Sequence, residues 1–214
     1  MKHLIAYSLL ALLFLGCNNT DNSCGQAYFG GEIINPSNDY LILYENALPL
    51  DTLKLDKNNR FSIHIEYLNS GLYSFVHGGE YQTLIIEPND SILLRLSTID
   101  FDESLVFTGR GAKKNNYLIN LFNAIENEDK IVYRLSRLEP GEFQQKTDSL
   151  QLIKLNELQD FIEKNPNSKL FNKVSKASIK YSYFAFKELY PFRYHGNYKL
   201  INYTSLPKDF YAYR

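Results

Sequence analysis

The residue types that most often carry redox, metal or nucleophilic chemistry are few in this chain. It holds two cysteines, Cys17 and Cys24, and four histidines, His3, His64, His77 and His195. Thiol-disulfide exchange needs a second thiol close by, as in CxxC, and no such spacing exists here. Zinc needs clustered His or Cys ligands, as in HExxH or paired Cys/His spacings, and the histidines are scattered. His64 falls on the outward side of an alternating stretch, and His195 falls in the turn-like "YHGNY". Carboxylates are plentiful, but spacing along separate strands does not show that any pair converges. No catalytic residue, cofactor site or metal site is therefore assigned.

Two glycine-containing stretches invite a test. In "VFTGRGAKKN", Gly109 and Gly111 stand between a strand and a helix, where phosphate sites often begin. A dinucleotide fingerprint needs a third glycine, and Lys114 takes its place. The spacing of a Walker A loop is absent too. The expected reading is a crossover from strands to helices. "HGGE", His77 to Glu80, is similar to an esterase oxyanion loop, but no G-x-S-x-G accompanies it, so a turn is expected.

Cys17 has more telling surroundings. Lys2 and His3 precede an apolar run from Leu4 to Leu15, too short to span a bilayer as a mature helix. The run ends at Gly16-Cys17, and "LFLGC" resembles the lipobox of bacterial lipoproteins. That resemblance implies cleavage before Cys17, a lipidated Cys17 as the mature N-terminus, and a membrane anchor without a span. The polar "NNTDNS" behind it suits a solvated tether. Residues 1–16 are thus read as signal peptide and 17–27 as tether. The expected location is the cell envelope, on the outer membrane facing the periplasm. Cys24 is left as a lone thiol.

The rest of the chain must supply the folded part. It is 44% hydrophobic and 14% aromatic, with 17 Tyr and 14 Phe, enough for one or two cores. A net charge of -1 argues against nucleic acid. From Tyr28 to Phe107 the apolar residues alternate. In "RFSIHIEY", Phe61, Ile63 and Ile65 share one face. Turn chemistry recurs in "NPSND", "DKNN", "NSG", "HGGE" and "EPND". Pro88 and Asn89 suit a type II turn, and "LDKNNRF" reads as a hairpin. An antiparallel β-sandwich over residues 28–108 is the expectation.

Beyond Gly111 the period becomes helical. Tyr117, Leu118, Leu121, Phe122 and Ile125 form one stripe. A second follows Glu139-Pro140-Gly141, with Phe143, Leu150, Ile153, Leu158, Phe161 and Ile162. A third starts after Ser168, a candidate N-cap, and carries Leu170, Phe171, Val174, Ala177, Tyr181, Phe184, Ala185 and Leu189, ending near Pro191. The fold class is therefore α+β: a sandwich followed by a three-helix segment, residues 109–214, packed against it. The aromatic stretch from Phe192 to Arg214 has no periodic partner and is expected to be exposed or used in self-association.

Four phrases together, "FGGEIINPSNDYLILYE", "LDKNNRFSIHIEYLNSGLYSFVHGGEY", "LIIEPNDSILLRL" and "SLVFTGRGAKKNNYLINL", resemble the N-terminal region of TlpA-like thiol-disulfide reductase lipoproteins. There a small β-sandwich and a helical segment precede a thioredoxin-like domain. Asn59 and Asn89 stand where those phrases carry glycine. The family's CxxC has no counterpart here. The resemblance implies a non-catalytic accessory or binding module, with a thioredoxin-like protein or a second copy as partner. The alternatives are the N-terminal part of a reductase and a carbohydrate-binding or hydrolytic sandwich.

Overall fold

A computed structural model describes residues 25–194 and 206–214. Cys17, Cys24, His3 and His195 lie outside them. The strands are β1 (Gly25–Ile34), β2 (Tyr40–Glu45), β3 (Leu48–Lys54), β4 (Arg60–Leu68), β5 (Gly71–His77), β6 (Glu80–Ile86), β7 (Ser91–Ser97) and β8 (Val106–Arg110). The helices are a one-turn α1 (Phe101–Ser104) and the long α2 (Ala112–Leu135), α3 (Pro140–Lys164) and α4 (Lys169–Arg193). The strands form two four-stranded sheets in the orders β4-β1-β7-β8 and β3-β2-β5-β6. The α+β reading holds. The differences are the extra turn α1, one parallel pair (β1 with β7), and a β1 that begins at Gly25 inside the span read as tether.

Alternation decides which side chains meet between the sheets. Phe29, Phe61 and Phe75 point inward, with Phe29 5.4 Å from Phe61 and 6.2 Å from Phe75. Leu41, Leu43, Leu84, Ile92 and Leu96, all fully buried, complete the core. Burying side chains of this size contributes about 1.5–3 kcal/mol each. In β4 a left-handed Tyr67 (φ 57) shifts the register, so that Leu68 turns inward beside Ile65.

Local turn chemistry appears where the residue types placed it. Asn89 has φ 68, and Asp90 N–H donates to Glu87 O at 3.0 Å, closing the turn at Pro88-Asn89. Asn59 is left-handed too, with φ 58. Gly78 and Gly79, both at positive φ, make the two-residue link of the β5–β6 hairpin. "LDKNNRF" departs from expectation: β3 and β4 belong to different sheets, so its tip joins the sheets rather than a hairpin. A turn reverses the chain but does not choose the sheet in which the next strand pairs.

Gly109 and Gly111 carry the chain from β8 into α2 at φ 89 and 94. A Cβ on Gly109 would lie 2.1 Å from Ser91 O in the facing strand. Gly109→Ala is expected to destabilise the protein by about 2 kcal/mol or more, combining torsional strain with that clash. Gly79→Ala, with φ 92 but open space around it, should cost about 1 kcal/mol. Urea midpoints of the two variants check this; equal losses would remove the contact argument.

The helices build a second core beside the sandwich. Val132, Phe143, Phe171, Ile179, Tyr183 and Tyr190 fill it, and the sandwich contributes Ile85 from the outer face of β6. Helix α2 serves both cores: Ala112 and Ile119 face the sandwich, whereas Leu121 and Val132 face the helices. Pro140 occupies the first turn of α3, and Ser168 caps α4 by accepting from Phe171 N–H at 3.0 Å. Helix α4 runs through Pro191 to Arg193.

Two stripes are corrected. Ile153 on α3 is 51% exposed, away from the core. On α4 the buried positions are Phe171, Ser175, Ile179, Tyr183, Phe186, Lys187 and Tyr190. Leu170 and Val174 of the expected stripe pack partly buried against this core, whereas Tyr181, Ala185 and Leu189 lie on another arc. Hydroxyl groups make the observed choice tolerable. Ser175 donates to Phe171 O at 2.7 Å, Tyr190 to Leu138 O at 2.8 Å, and Tyr183 to Glu128. The tail is corrected as well for residues 206–214. Phe210 is fully buried against Phe143 and Tyr190, and Tyr213 stacks on Phe184 at 4.1 Å.

Candidate functional site

The first turns of α2 explain the "GAKKNNYL" phrase structurally. Strands β6 and β8 are each the last strand of their sheet, so each leaves backbone groups unpaired. Consecutive asparagines on α2 occupy both edges. Asn115 Oδ1 accepts from Ile85 N–H at 2.7 Å, and its Nδ2 donates to Ile85 O at 2.9 Å. Asn116 does the same for Phe107, at 2.8 Å each way. Each carboxamide takes the place of a neighbouring strand. Helix α2 thus closes the open side of the sandwich.

Lys114 locks the same junction. Its ammonium lies 2.6 Å from both Glu87 and Asp90. Burial pushes the Asp90 carboxyl up, against the pull of Lys114. Asp90 also accepts from Glu87 N–H at 2.9 Å, which ties the carboxylate to its own turn. A carboxylate pair beside a lysine can serve acid-base chemistry, but here both carboxylates are spent on the lysine and the turn. The Gly-x-Gly stretch is thus the crossover that its spacing suggested.

His77 is equally committed. It is 1% exposed, its Nε2 accepts from Ser37 N–H at 3.0 Å, and its Nδ1 donates to Tyr40 O at 2.8 Å. It pins the β1–β2 connection to the end of β5, and "HGGE" is a hairpin turn. His64 is on the outer face of β4, 3.2 Å from Gln26 Oε1. Among the described residues no three His, Cys, Asp or Glu side chains gather where a metal ion could sit.

What the structure leaves open is a groove of about 470 Å³ between α2 and α4. Leu118, Leu121, Phe122 and Ile125 form one wall, and Val174, Tyr181, Ala185 and Leu189 the other. These are the side chains of two stripes that helical spacing picked out as core. Phe122, Tyr181 and Leu189 are 39%, 71% and 40% exposed. Gln82 and Thr83 of β6 close one end, where Gln82 Oε1 accepts from Thr83 N–H at 2.8 Å and its amide donates to Asp102 at 2.9 Å. With Gln82 and Asn115 on its edge, β6 is poorly placed to accept an added strand, so the groove suits side-chain docking. Glu126 stands on the rim, with Glu103 beyond it. Asp129, also on the rim, pairs with Arg193 at 2.6 Å.

No family model matches the chain, and no curated protein matches it. Among solved structures, a DUF3823 family protein from Parabacteroides merdae is similar over 34% of this chain and 46% of its own length, with 14% identity and a TM-score of 0.25. The match thus spans less than half of that neighbour, and a likeness of this depth carries no chemistry from one protein to the other.

Proposed function

We propose that this chain is a lipid-anchored accessory module of the cell envelope that binds a partner protein in the α2–α4 groove. The observation that carries the reading is the groove itself: apolar side chains of two helices line it, and Phe122, Tyr181 and Leu189 among them are exposed. Its acidic rim favours an amphipathic helix with a basic flank as occupant. The resemblance in "FTGRGAKKNNYL" makes a thioredoxin-like domain the first partner to test. The Gly16-Cys17 step supports the anchor.

Two measurements test this. Intact mass and detergent partition should show a lipidated Cys17, with Cys17→Ser releasing a soluble form; an unmodified, soluble native protein would remove the anchor. Sedimentation of the mature chain with a purified thioredoxin-like domain from the same envelope should give a complex. Phe122→Ser/Tyr181→Ser/Leu189→Ser should weaken it at least about tenfold, or 1.4 kcal/mol. Self-association abolished by the same substitutions would assign the groove to a second copy and overturn the thioredoxin-like partner. A wild type that binds neither would overturn the docking role.

A further inference from the structure

A different face of α4 carries a second site. Lys173, Lys176 and Lys180 recur at three- and four-residue intervals, so their ammonium groups line one side of the helix over about 11 Å. All three are exposed, and none makes an ion pair among the described residues. They border a cavity of about 740 Å³ between α3, α4 and the C-terminal turn. Lys187 lies deeper, 7% exposed, 2.7 Å from Asp148 and 5.8 Å from the centre of the Phe210 ring. Four lysines against Asp148 and Asp209 leave this cavity an excess of two positive charges.

The cavity also has a fixed aromatic wall. Tyr213 stacks on Phe184 with the rings 7° from parallel, and Tyr181 meets Phe184 edge-on at 6.0 Å. Tyr213 donates to Glu188 at 2.6 Å, and Arg214 Nε donates to the same carboxylate at 3.0 Å, which holds the C-terminal turn in place. Like charges at these helical intervals repel, at a cost of about 0.2–0.5 kcal/mol per pair. An anion would relieve that cost. Lysine ammonium groups act as point charges suited to a compact dianion, unlike the fork of arginine. Ring faces beside them suit a ring that carries the anion.

We propose that this cavity binds a phosphate-bearing sugar, with the phosphate on Lys176 and Lys180 and the sugar ring against the exposed Tyr181. A free sugar phosphate and the phosphorylated headgroup of a glycolipid share this chemistry. Tyr181 also borders the α2–α4 groove, so a protein seated there would compete for it with the sugar ring, whereas Lys173, Lys176 and Lys180 line only this cavity.

Calorimetric titration of the mature chain with glucose 6-phosphate, glucose and inorganic phosphate reads the first source. Sedimentation of the soluble Cys17→Ser form with phosphatidylcholine vesicles, with and without lipid A, reads the second. Saturable binding of glucose 6-phosphate is expected, about tenfold or more tighter than glucose or inorganic phosphate. Lys176→Gln/Lys180→Gln should weaken it about a hundredfold, and Lys130→Gln on α2 should leave it unchanged. Both variants change exposed side chains, and thermal melting confirms that they fold. Vesicle binding that needs lipid A and is lost in the double variant, without binding of the soluble sugar, assigns the site to the headgroup. Binding in neither arm, equal affinity for sugar phosphate and inorganic phosphate, or full affinity in the double variant would each overturn the proposal.

Discussion

As pH rises from about 10 to about 12, the protein is expected to unfold in one step driven by its buried tyrosines. Tyr73, Tyr183 and Tyr190 are 2%, 1% and 0% exposed. Burial pushes all three phenols above their ordinary value of 10.0, and the Glu45 and Glu128 carboxylates push the first two further. The unfolded chain therefore gives up these protons first. Their contribution is complete below about pH 10 and drains away as pH climbs toward the folded values. Each costs at most about 1.4 kcal/mol per pH unit, less where the hydroxyl keeps contact with water, so the three together remove several kcal/mol by pH 12. That is a large part of the stability of many domains, about 5–15 kcal/mol. Tyr117, half-buried and pushed up to about 12, adds a smaller share. The last phenols to ionise should do so together with the loss of circular dichroism, and Tyr183→Phe should move the midpoint upward. Ionisation of every phenol with secondary structure intact would contradict the account.

The second large effect belongs to the asparagine pair. Asn115→Leu leaves Ile85 N–H and C=O buried without partners, at about 1–3 kcal/mol for each group. The gain in helix propensity returns only a few tenths. A net loss of about 3 kcal/mol is expected in urea unfolding. Asn116→Leu, at a less buried position, should lose about 1–2 kcal/mol. Asn127→Leu, exposed on the same helix, should lose almost nothing. Asn115→Asp separates hydrogen bonding from packing. Ionised, it keeps the acceptor for Ile85 N–H but sets a charge against Ile85 O. Protonated at low pH, it regains a donor and should recover part of the loss. Faster amide exchange at Ile85 and Phe107 in the respective leucine variants would locate the damage at the sheet edges. A loss under about 0.5 kcal/mol in Asn115→Leu would show that α2 does not act as an edge clamp.

Both effects show where reading the sequence succeeds and where it stops. The left-handed Asn59 and Asn89, the Gly78-Gly79 turn and the Ser168 cap lay within reach of residue type alone. Each depends on torsions and hydrogen bonds within four residues of chain. The alternation of β4 and the breaks before α3 and α4 were legible for the same reason.

Choices of distant partner were not legible. The turn chemistry of "LDKNNRF" is the same whether the next strand pairs in the same sheet or crosses to the other, and only packing of the two sheets selects the crossing. The parallel pairing of β1 with β7 joins segments far apart in the chain. Asn115 and Asn116 look like ordinary polar helix residues until two sheet edges meet them. Helix α4 is apolar on two arcs, so its periodicity fits either. Satisfied hydroxyls on Ser175, Tyr183 and Tyr190 let the more polar arc face the core, and the arc with Tyr181 and Leu189 stays open. Phe210 likewise gains its burial from α3 and α4, not from its neighbours in sequence. Residue type governs how the backbone bends locally. Which surfaces meet is decided by the shapes and unsatisfied hydrogen-bonding groups that only the assembled chain presents.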